Sequence, residues 1–168
     1  RALGVLTRMA TSDVCDFSRP VRTTGAWSRT FRAWYRMLRW IESPLTWWAT
    51  TRGFGNIVEL RVPGRRSETE RRLPLGLLTV DGHWYLGHPS GDSAWTLNLR
   101  AADTAVIASA AIPATAVRSG VLSAGPERDA VVRATFRQHP FPGDALYRLA
   151  GHHVFATGVF LRLEPVPG

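Results

Sequence analysis

The tightest constraint on the fold of this chain lies near its middle, where two strand-like stretches are separated by the dipeptide Asp81-Gly82. The sequence predicts strands at 73–80 and 83–88, and Asp-Gly is a preferred two-residue hairpin turn. Strands joined so tightly are antiparallel neighbours, because a parallel pair needs a crossover of about a dozen residues or more. The hairpin therefore disfavours a doubly wound parallel sheet.

The patterns on both sides of the hairpin indicate further strands and several helices. Residues 57–62 alternate with the two-residue period of a strand and end at the Pro63-Gly64 turn. Further strands are predicted at 104–111, 114–121 and 153–166, and helices at 26–41, 93–102, 127–139 and 144–150. This order favours an α+β fold, a six-stranded antiparallel split β-barrel with flanking helices.

The first predicted helix, at 26–41, is amphipathic. Its apolar side chains recur at three- and four-residue steps, with arginines largely between them. The apolar set is Trp27, Phe31, Trp34, Leu38 and Ile41, and the basic set is Arg29, Arg32, Arg36 and Arg39. Two interpretations stay open: the aromatic stripe packs on the domain, or the helix lies on an acidic membrane surface. Pro44 is expected to end the helix, and a short helical turn is predicted at 45–51.

Composition indicates one globular domain and excludes some chemistry. With 168 residues, 45% of them hydrophobic, the chain can bury a sizeable core. We expect a single domain at 25–168 behind a flexible tail at 1–24. The net charge of +8 rests on arginine, since the chain has no lysine, which excludes a pyridoxal-phosphate Schiff base and a P-loop lysine. The charge itself suits anionic ligands, nucleic acid or acidic lipid.

Cysteine content and hydropathy bear on the compartment. Cys15 is the single cysteine, so no disulfide can form within the chain and no thiolate-rich metal site can be built. No apolar run reaches the roughly 20 residues that span a bilayer. We therefore expect a cytoplasmic protein, with peripheral membrane contact through residues 26–41 left open. The sequence leaves the oligomeric state open between monomer and homodimer.

Few side chains of the chain are suited to catalysis on their own. There is no G-x-S-x-G elbow, and the acidic residues lie mostly in turns or at helix starts. His83 and His88 lie on opposite faces of a predicted strand, and the neighbours His152 and His153 also diverge, so no metal site is expected. His139 is predicted to be a loop residue. The pattern is expected when a bound cofactor supplies the reaction and the protein supplies orientation and electrostatics.

Four arginines in two adjacent pairs stand at the turn before the central hairpin. They are Arg65, Arg66, Arg71 and Arg72. Guanidinium groups bind phosphate bidentately, and Ser67 adds a hydroxyl beside the first pair. The segment is therefore a candidate phosphate site. The alternative is a solvated hairpin tip, in which Glu68 and Glu70 partly neutralise the arginines.

A series of short motifs follows in order from this turn. The motifs are Gly64-Arg65-Arg66-Ser67, Pro74-Leu75, Asp81-Gly82 with Trp84, Ser90-Gly91, and Trp95 with Asn98-Leu99. Their order and spacing resemble those of the deazaflavin-dependent nitroreductase family, in the wider split-barrel superfamily of flavin reductases and pyridoxamine-phosphate oxidases. The resemblance covers residues 28 to 165, and the whole series is more specific than any single motif.

This resemblance implies a split barrel that binds the reduced deazaflavin coenzyme F420, with FMN as the alternative. The implied reaction is hydride transfer to an electron-poor small molecule such as a quinone, nitro compound or enone. The implied phosphate contacts are Arg65, Arg66 and Ser67, with Arg71 in support. Pro74, Leu75 and Gly76 would flank the ring, Ser90 and Gly91 would lend backbone amides, and Trp95 and Asn98 would orient that loop and pack the far side of the ring. Tyr147 would deliver the proton.

One departure from the family turn keeps a second function open. Glu68 stands where the family turn has glycine, and a carboxylate near a phosphate is expected to weaken anion binding. The alternative is therefore a non-catalytic lipid- or cofactor-binding protein with the same barrel, in contact with membrane. Nucleic acid is not an expected partner, because the aromatic side chains do not clearly interleave with the arginines on one strand face.

Overall fold

The computed structural model places the predicted hairpin in a closed six-stranded antiparallel barrel, and it describes residues 25–33, 55–139 and 143–167. The strands are β1 (Ile57–Pro63), β2 (Glu70–Val80), β3 (His83–His88), β4 (Ala105–Ala108), β5 (Thr115–Val121) and β6 (Val159–Pro165). Residues 25–33 are helical and form α1, followed by α2 (Ala94–Ala101), α3 (Pro126–Gln138), α4 (Gly143–Leu149) and α5 (Gly151–Thr157). The predicted α+β barrel with flanking helices is confirmed.

Strands that are distant in sequence close the barrel. The order around it is β1-β2-β3-β6-β5-β4, and β4 pairs back with β1. The predicted hairpin is confirmed, since β2 and β3 pair from Leu77 with Leu86 to Val80 with His83. Both of its turn residues have positive φ, 50° at Asp81 and 79° at Gly82. That is the conformation expected of a type I′ turn.

Alternation along the strands separates two apolar cores. Successive side chains along a strand point alternately into the barrel and towards the helices outside it. The barrel interior holds Val58, Leu60, Val62, Leu77, Leu86, Leu99, Ile107, Val117, Leu161 and Leu163. The outer core, between the barrel wall and the helices, holds Phe31, Leu78, Tyr85, Val131, Val132, Tyr147, Ala150, Val154 and Phe160.

Strand β2 serves two partners along its length. It pairs with β1 from Glu70 to Gly76 and with β3 from Leu77 onward, so it begins earlier than the predicted Leu73. Pro74 lies in the part that pairs with β1 only. A proline, which lacks the N–H donor, is tolerated on such an edge. The split between the two pairings leaves the first half of β2 accessible beside the basic turn.

Two predicted elements differ in extent or type. The strand predicted at 104–111 is shorter because Ser109 Oγ accepts the N–H groups of Ala111 and Ile112 and turns the chain. Residues 153–157, predicted as the start of the last strand, are instead helical in α5. There the Arg128 guanidinium donates to the carbonyls of Phe155 and Gly158, at 2.7 and 3.0 Å. This side chain, distant in sequence, stabilises the end of the helix, although the residues of the segment favour a strand.

Part of the N-terminal prediction lies outside the described residues, namely the tail at 1–24, the helix at 34–41 and the turn at 45–51. Within α1, Phe31 is buried in the outer core, whereas Arg29 and Arg32 are exposed. The described part of the amphipathic helix therefore packs its aromatic side on the domain. Among the described residues, no helix is long and apolar enough to span a membrane. Contact of this helix with a membrane surface stays a prediction.

Candidate functional site

The basic turn between β1 and β2 is a closed loop. The Ser67 and Glu68 N–H groups donate to the Gly64 carbonyl at 3.1 and 2.8 Å, and the Gly64 N–H donates to Thr69 at 3.0 Å. A β-carbon on Gly64 would lie 2.9 Å from Ser67 Oγ, so glycine is what lets the hydroxyl pack there. Glu68 has φ +55°, the left-handed conformation that glycine adopts most easily.

The four arginines of this segment differ in their surroundings. Arg72 is paired with Glu70 at 2.7 Å. Arg71 reaches back to the turn, since its Nε lies 3.6 Å from the point where a Gly64 β-carbon would be. Arg65, Arg66 and Arg71 are exposed and have no carboxylate partner among the residues that the structure describes. These three guanidinium groups therefore remain available to an anion.

Helix α2 meets the basic turn. Asn98 Oδ1 accepts the Arg65 N–H at 3.4 Å, which brings together two motifs that are far apart in sequence. The helix is held in place by Leu99, buried in the barrel interior, and by Trp95, half-buried against the same core. The edge of the Trp95 ring faces His88, with centroids 6.3 Å apart. The basic turn, Asn98 and Trp95 thus form one side of the candidate site.

The Ser90-Gly91 loop is supported from beneath by α5. The Gly91 N–H donates to the Thr157 carbonyl at 2.8 Å, so this amide is already used within the chain. Ser90 Oγ lies 3.1 Å from His153 Nε2 and 3.2 Å from Ser28 Oγ. His88 Nδ1 lies 3.0 Å from the Gly91 carbonyl, and burial lowers the pKa of this histidine more than that hydrogen bond and Asp92 raise it.

His139 joins the ring-flanking strand, which sequence reasoning did not foresee. A β-carbon on Gly76 would lie 3.0 Å from His139 Nε2, so the imidazole packs directly on this part of β2. Its Nδ1 lies 3.2 Å from the Thr135 carbonyl, which accepts a hydrogen bond from it. Burial lowers the His139 pKa, against smaller opposing effects of that bond and of Asp144. A glycine in a strand is the sequence signal for such a close approach.

Tyr147, the predicted proton donor, lies in the outer core beside this histidine. It is 7% exposed, and its ring centroid is 4.6 Å from that of His139. Phe31 connects it to the loop region, because the Phe31 ring lies 6.0 Å from Tyr147 and 5.8 Å from His153. A series of side-chain contacts therefore runs from Gly76 through His139, Tyr147, Phe31 and His153 to Ser90. Tyr147 is far less accessible than the basic turn.

Side chains able to ligate a metal are spread apart. In the ranges 25–33, 55–139 and 143–167, no three His, Cys, Asp or Glu side chains form a group that could hold a metal ion. His83 instead contacts Arg162, with their nitrogens 3.1 Å apart. His152 is exposed, whereas its neighbour His153 is buried.

Six antiparallel strands closed around an apolar interior, with helices on the outside, define a split barrel, and the split-barrel fold that the motifs predicted is confirmed. HutZ, the heme storage protein from Vibrio cholerae, is similar with a TM-score of 0.51 at 11% identity, over 70% of this chain and 86% of HutZ. An F420-H2 dependent reductase, FDR-A, gives a TM-score of 0.49 at 18% identity, over 65% of this chain and 94% of its own. No family model and no curated protein sequence matches the chain.

Proposed function

We propose that this protein is an oxidoreductase that uses the reduced deazaflavin coenzyme F420 to reduce an electron-poor small molecule. The observation that carries the proposal is the basic turn. Arg65, Arg66 and Arg71 are exposed at or beside the turn that carries Ser67, and they have no carboxylate partner in the described part of the chain. Three uncompensated guanidinium groups at one loop fit a phosphate-bearing ligand, because such groups form charge-assisted and bidentate hydrogen bonds.

The turn offers a phosphate more side-chain hydrogen-bond donors than free backbone N–H groups. Most N–H groups of the turn donate within the chain, and the Arg66 N–H alone among residues 64–68 has no acceptor in the described residues. Ser67 Oγ stands beside Gly64 and can donate to a phosphate oxygen. Asn98 would hold the turn in position through the Arg65 N–H. The negative charge of the Glu68 carboxylate repels an anion and is expected to weaken the binding of the phosphate.

The ring would lie against the first half of β2, where Pro74, Leu75 and Gly76 are partly accessible and His139 covers Gly76. The bound coenzyme would supply the hydride. The chain would orient the ring, exclude water with its apolar wall, and hold Trp95 and the Ser90-Gly91 loop on the other side. We assign proton delivery to Tyr147, whose ring lies beside that of His139, with centroids 4.6 Å apart, on the side of the barrel wall where His139 covers Gly76.

Coenzyme titration tests the proposal directly. We expect the full chain to bind F420 at micromolar concentration, followed by ligand fluorescence, and to oxidise the reduced coenzyme when a quinone or nitro compound is added. The double variant Arg65→Ala, Arg66→Ala removes two charged hydrogen bonds to phosphate and is expected to cost about 3 kcal/mol, roughly a hundredfold in affinity.

The variant Arg133→Ala, Arg137→Ala is the matched control, since it removes two exposed arginines from α3 and leaves the turn intact. It should bind nearly as well as the original protein. Equal losses in the two double variants would show that net charge, and not the turn, attracts the coenzyme.

The same titration decides between cofactors. FMN is tested beside F420, and tight binding of FMN alone would move the proposal to a flavin-dependent reductase. Glu68 favours the alternative of a binding protein with another ligand, because it places a carboxylate in the phosphate turn. Absence of F420 and FMN binding, with uptake of heme or a fatty acid, would establish that alternative.

A further inference from the structure

The hydroxyl of Ser90 belongs to a chain of four polar side chains beneath the candidate site. Ser28, Ser90, His153 and Thr157 are linked in that order by contacts of 3.2, 3.1 and 3.1 Å between their side-chain atoms. The chain crosses from α1 through the loop to α5. His153, the central member, is 1% exposed and stacks on Phe31 with centroids 5.8 Å apart.

The surroundings of His153 favour its neutral form, in which the ring carries one proton. Burial lowers its pKa, and among the described residues no carboxylate contacts it to favour the imidazolium. Its Nδ1 is buried and has no hydrogen-bond partner among the residues that the structure describes, whereas Nε2 faces two hydroxyl oxygens. The position of the single proton therefore decides what Ser90 can do.

The surroundings favour the tautomer with the proton on Nε2. The Thr157 hydroxyl donates to the His153 carbonyl at 2.9 Å, so it presents a lone pair to Nε2 at 3.1 Å. Two lone pairs facing each other would repel, and the contact is attractive only if Nε2 carries the hydrogen. The other tautomer would also leave a buried N–H at Nδ1 without an acceptor, which is rare in folded proteins.

We propose that His153 is a positioning residue that keeps the Ser90 hydroxyl a hydrogen-bond donor directed away from the core. With its proton on Nε2, the imidazole donates to the hydroxyl oxygens and cannot accept from Ser90. The Ser90 proton then points to Ser28 Oγ, and a ligand acceptor at the loop can take its place. This assigns the donor role of the loop to a side chain, since the Gly91 amide is used by Thr157. The assignment of a ligand here rests on the proposed function.

Nuclear magnetic resonance tests the tautomer without any ligand. In protein labelled with ¹⁵N-histidine, the buried His153 ring is expected to give a protonated-type Nε2 signal and an unprotonated-type Nδ1 signal. The His153→Gln variant assigns the signals by their loss. A protonated Nδ1 in the unmodified protein would overturn the proposal, whatever the coenzyme does.

Two amide variants test the role in binding. Glutamine can place its N–H₂ group near the position of Nε2, whereas asparagine reaches only the position of Nδ1. We therefore expect His153→Gln to keep the F420 affinity, and His153→Asn to lose about threefold to tenfold, as expected for one neutral hydrogen bond. Ser90→Ala should lose a similar factor, and Ser90→Ala with His153→Asn should lose no more than Ser90→Ala alone.

His152→Asn is the matched control, because this neighbouring residue is exposed on the same helix, and it should not change affinity. Independent, multiplicative losses in the double variant would show that His153 does not act through Ser90 and would overturn the proposal. If the unmodified protein binds no F420, the proposed function fails, and the tautomer measurement still decides the state of His153. Near-ultraviolet circular dichroism confirms that each compared variant is folded.

Discussion

Glu68 shows how a single residue can link backbone conformation to ligand binding. Its φ of +55° is a conformation that costs an L-residue roughly 1–2 kcal/mol relative to the right-handed one. Glycine avoids that strain, which gives a physical reason for the glycine found at this position in the family turn that the motifs resemble. In this chain the same position carries a carboxylate next to three guanidinium groups.

Two substitutions at this position separate the backbone effect from the charge effect. Glu68→Ala removes the carboxylate and keeps the strain, whereas Glu68→Gly removes both. We expect Glu68→Gly to be more stable than Glu68→Ala by about 0.5–1 kcal/mol, because relief of strain is partly offset by the greater entropy of unfolded glycine. Urea unfolding measures the difference.

Both variants should bind the coenzyme more tightly, by about fivefold if the carboxylate lies near the phosphate in high dielectric. Glu164→Ala is the control, since it removes an exposed carboxylate from β6, which is not a neighbour of the turn in the barrel. A gain of the same size in Glu164→Ala would mean that overall charge is responsible. No gain in either Glu68 variant would place the phosphate elsewhere.

At the scale of elements, α2 is the part that joins the barrel to the basic turn. Ser93 and Thr96 form a reciprocal cap at its start: Ser93 Oγ accepts the Thr96 N–H at 3.4 Å and Thr96 Oγ1 accepts the Ser93 N–H at 2.8 Å. The helix is only eight residues long, so its end groups are a large part of its hydrogen bonding. Its start therefore helps to position Asn98.

Ser93→Ala is expected to lower the free energy of unfolding by about 1 kcal/mol, the usual effect of losing an N-cap. Urea unfolding measures this loss. Ser123→Ala is the matched control, because Ser123 is exposed between β5 and α3 and makes no hydrogen bond with the described residues. A loss in Ser123→Ala as large as in Ser93→Ala would show that the cap has no special contribution.

The predictability of each element depends on where its determinants lie. The hairpin and α2 are specified locally, by Asp81-Gly82 and by the Ser93 cap, and both could be predicted. The composition of α5 suggested a strand. The side chain that stabilises the end of this helix, Arg128, is distant in sequence, so the helix was not foreseen. The approach of His139 to Gly76 likewise requires the packing of α3 on β2, and the sequence supplied only the glycine.

At the scale of the whole molecule, one buried and two half-buried histidines couple folding to pH. Burial lowers the pKa of His88, His139 and His153 below the usual 6.5. The unfolded chain therefore binds more protons than the folded one at mildly acidic pH, and stability increases with pH there. The stabilisation is fully present above the unfolded pKa of about 6.5 and is lost as pH falls towards the folded values.

We expect the free energy of unfolding to fall between pH 7.5 and 5.5, by up to about 1.4 kcal/mol per pH unit for each of the three histidines. Urea unfolding at several pH values gives the slope. The His139→Gln variant should show a smaller slope than the original protein over the same range. A flat profile would show that these imidazoles gain protons as readily in the folded state as in the unfolded one.

The position of β6 in the barrel has a consequence for how the chain acquires its fold. Strand β6, which follows the other five described strands in sequence, lies between β3 and β5, pairing Trp84 with Leu163 and Val117 with Pro165. Until the ribosome has made β6, the strands on both sides present unpaired edges, which are prone to join other chains. Pairings this distant in sequence form slowly. The barrel can therefore close only after β6 has been made, and β6 then covers two strand edges that are otherwise open to aggregation.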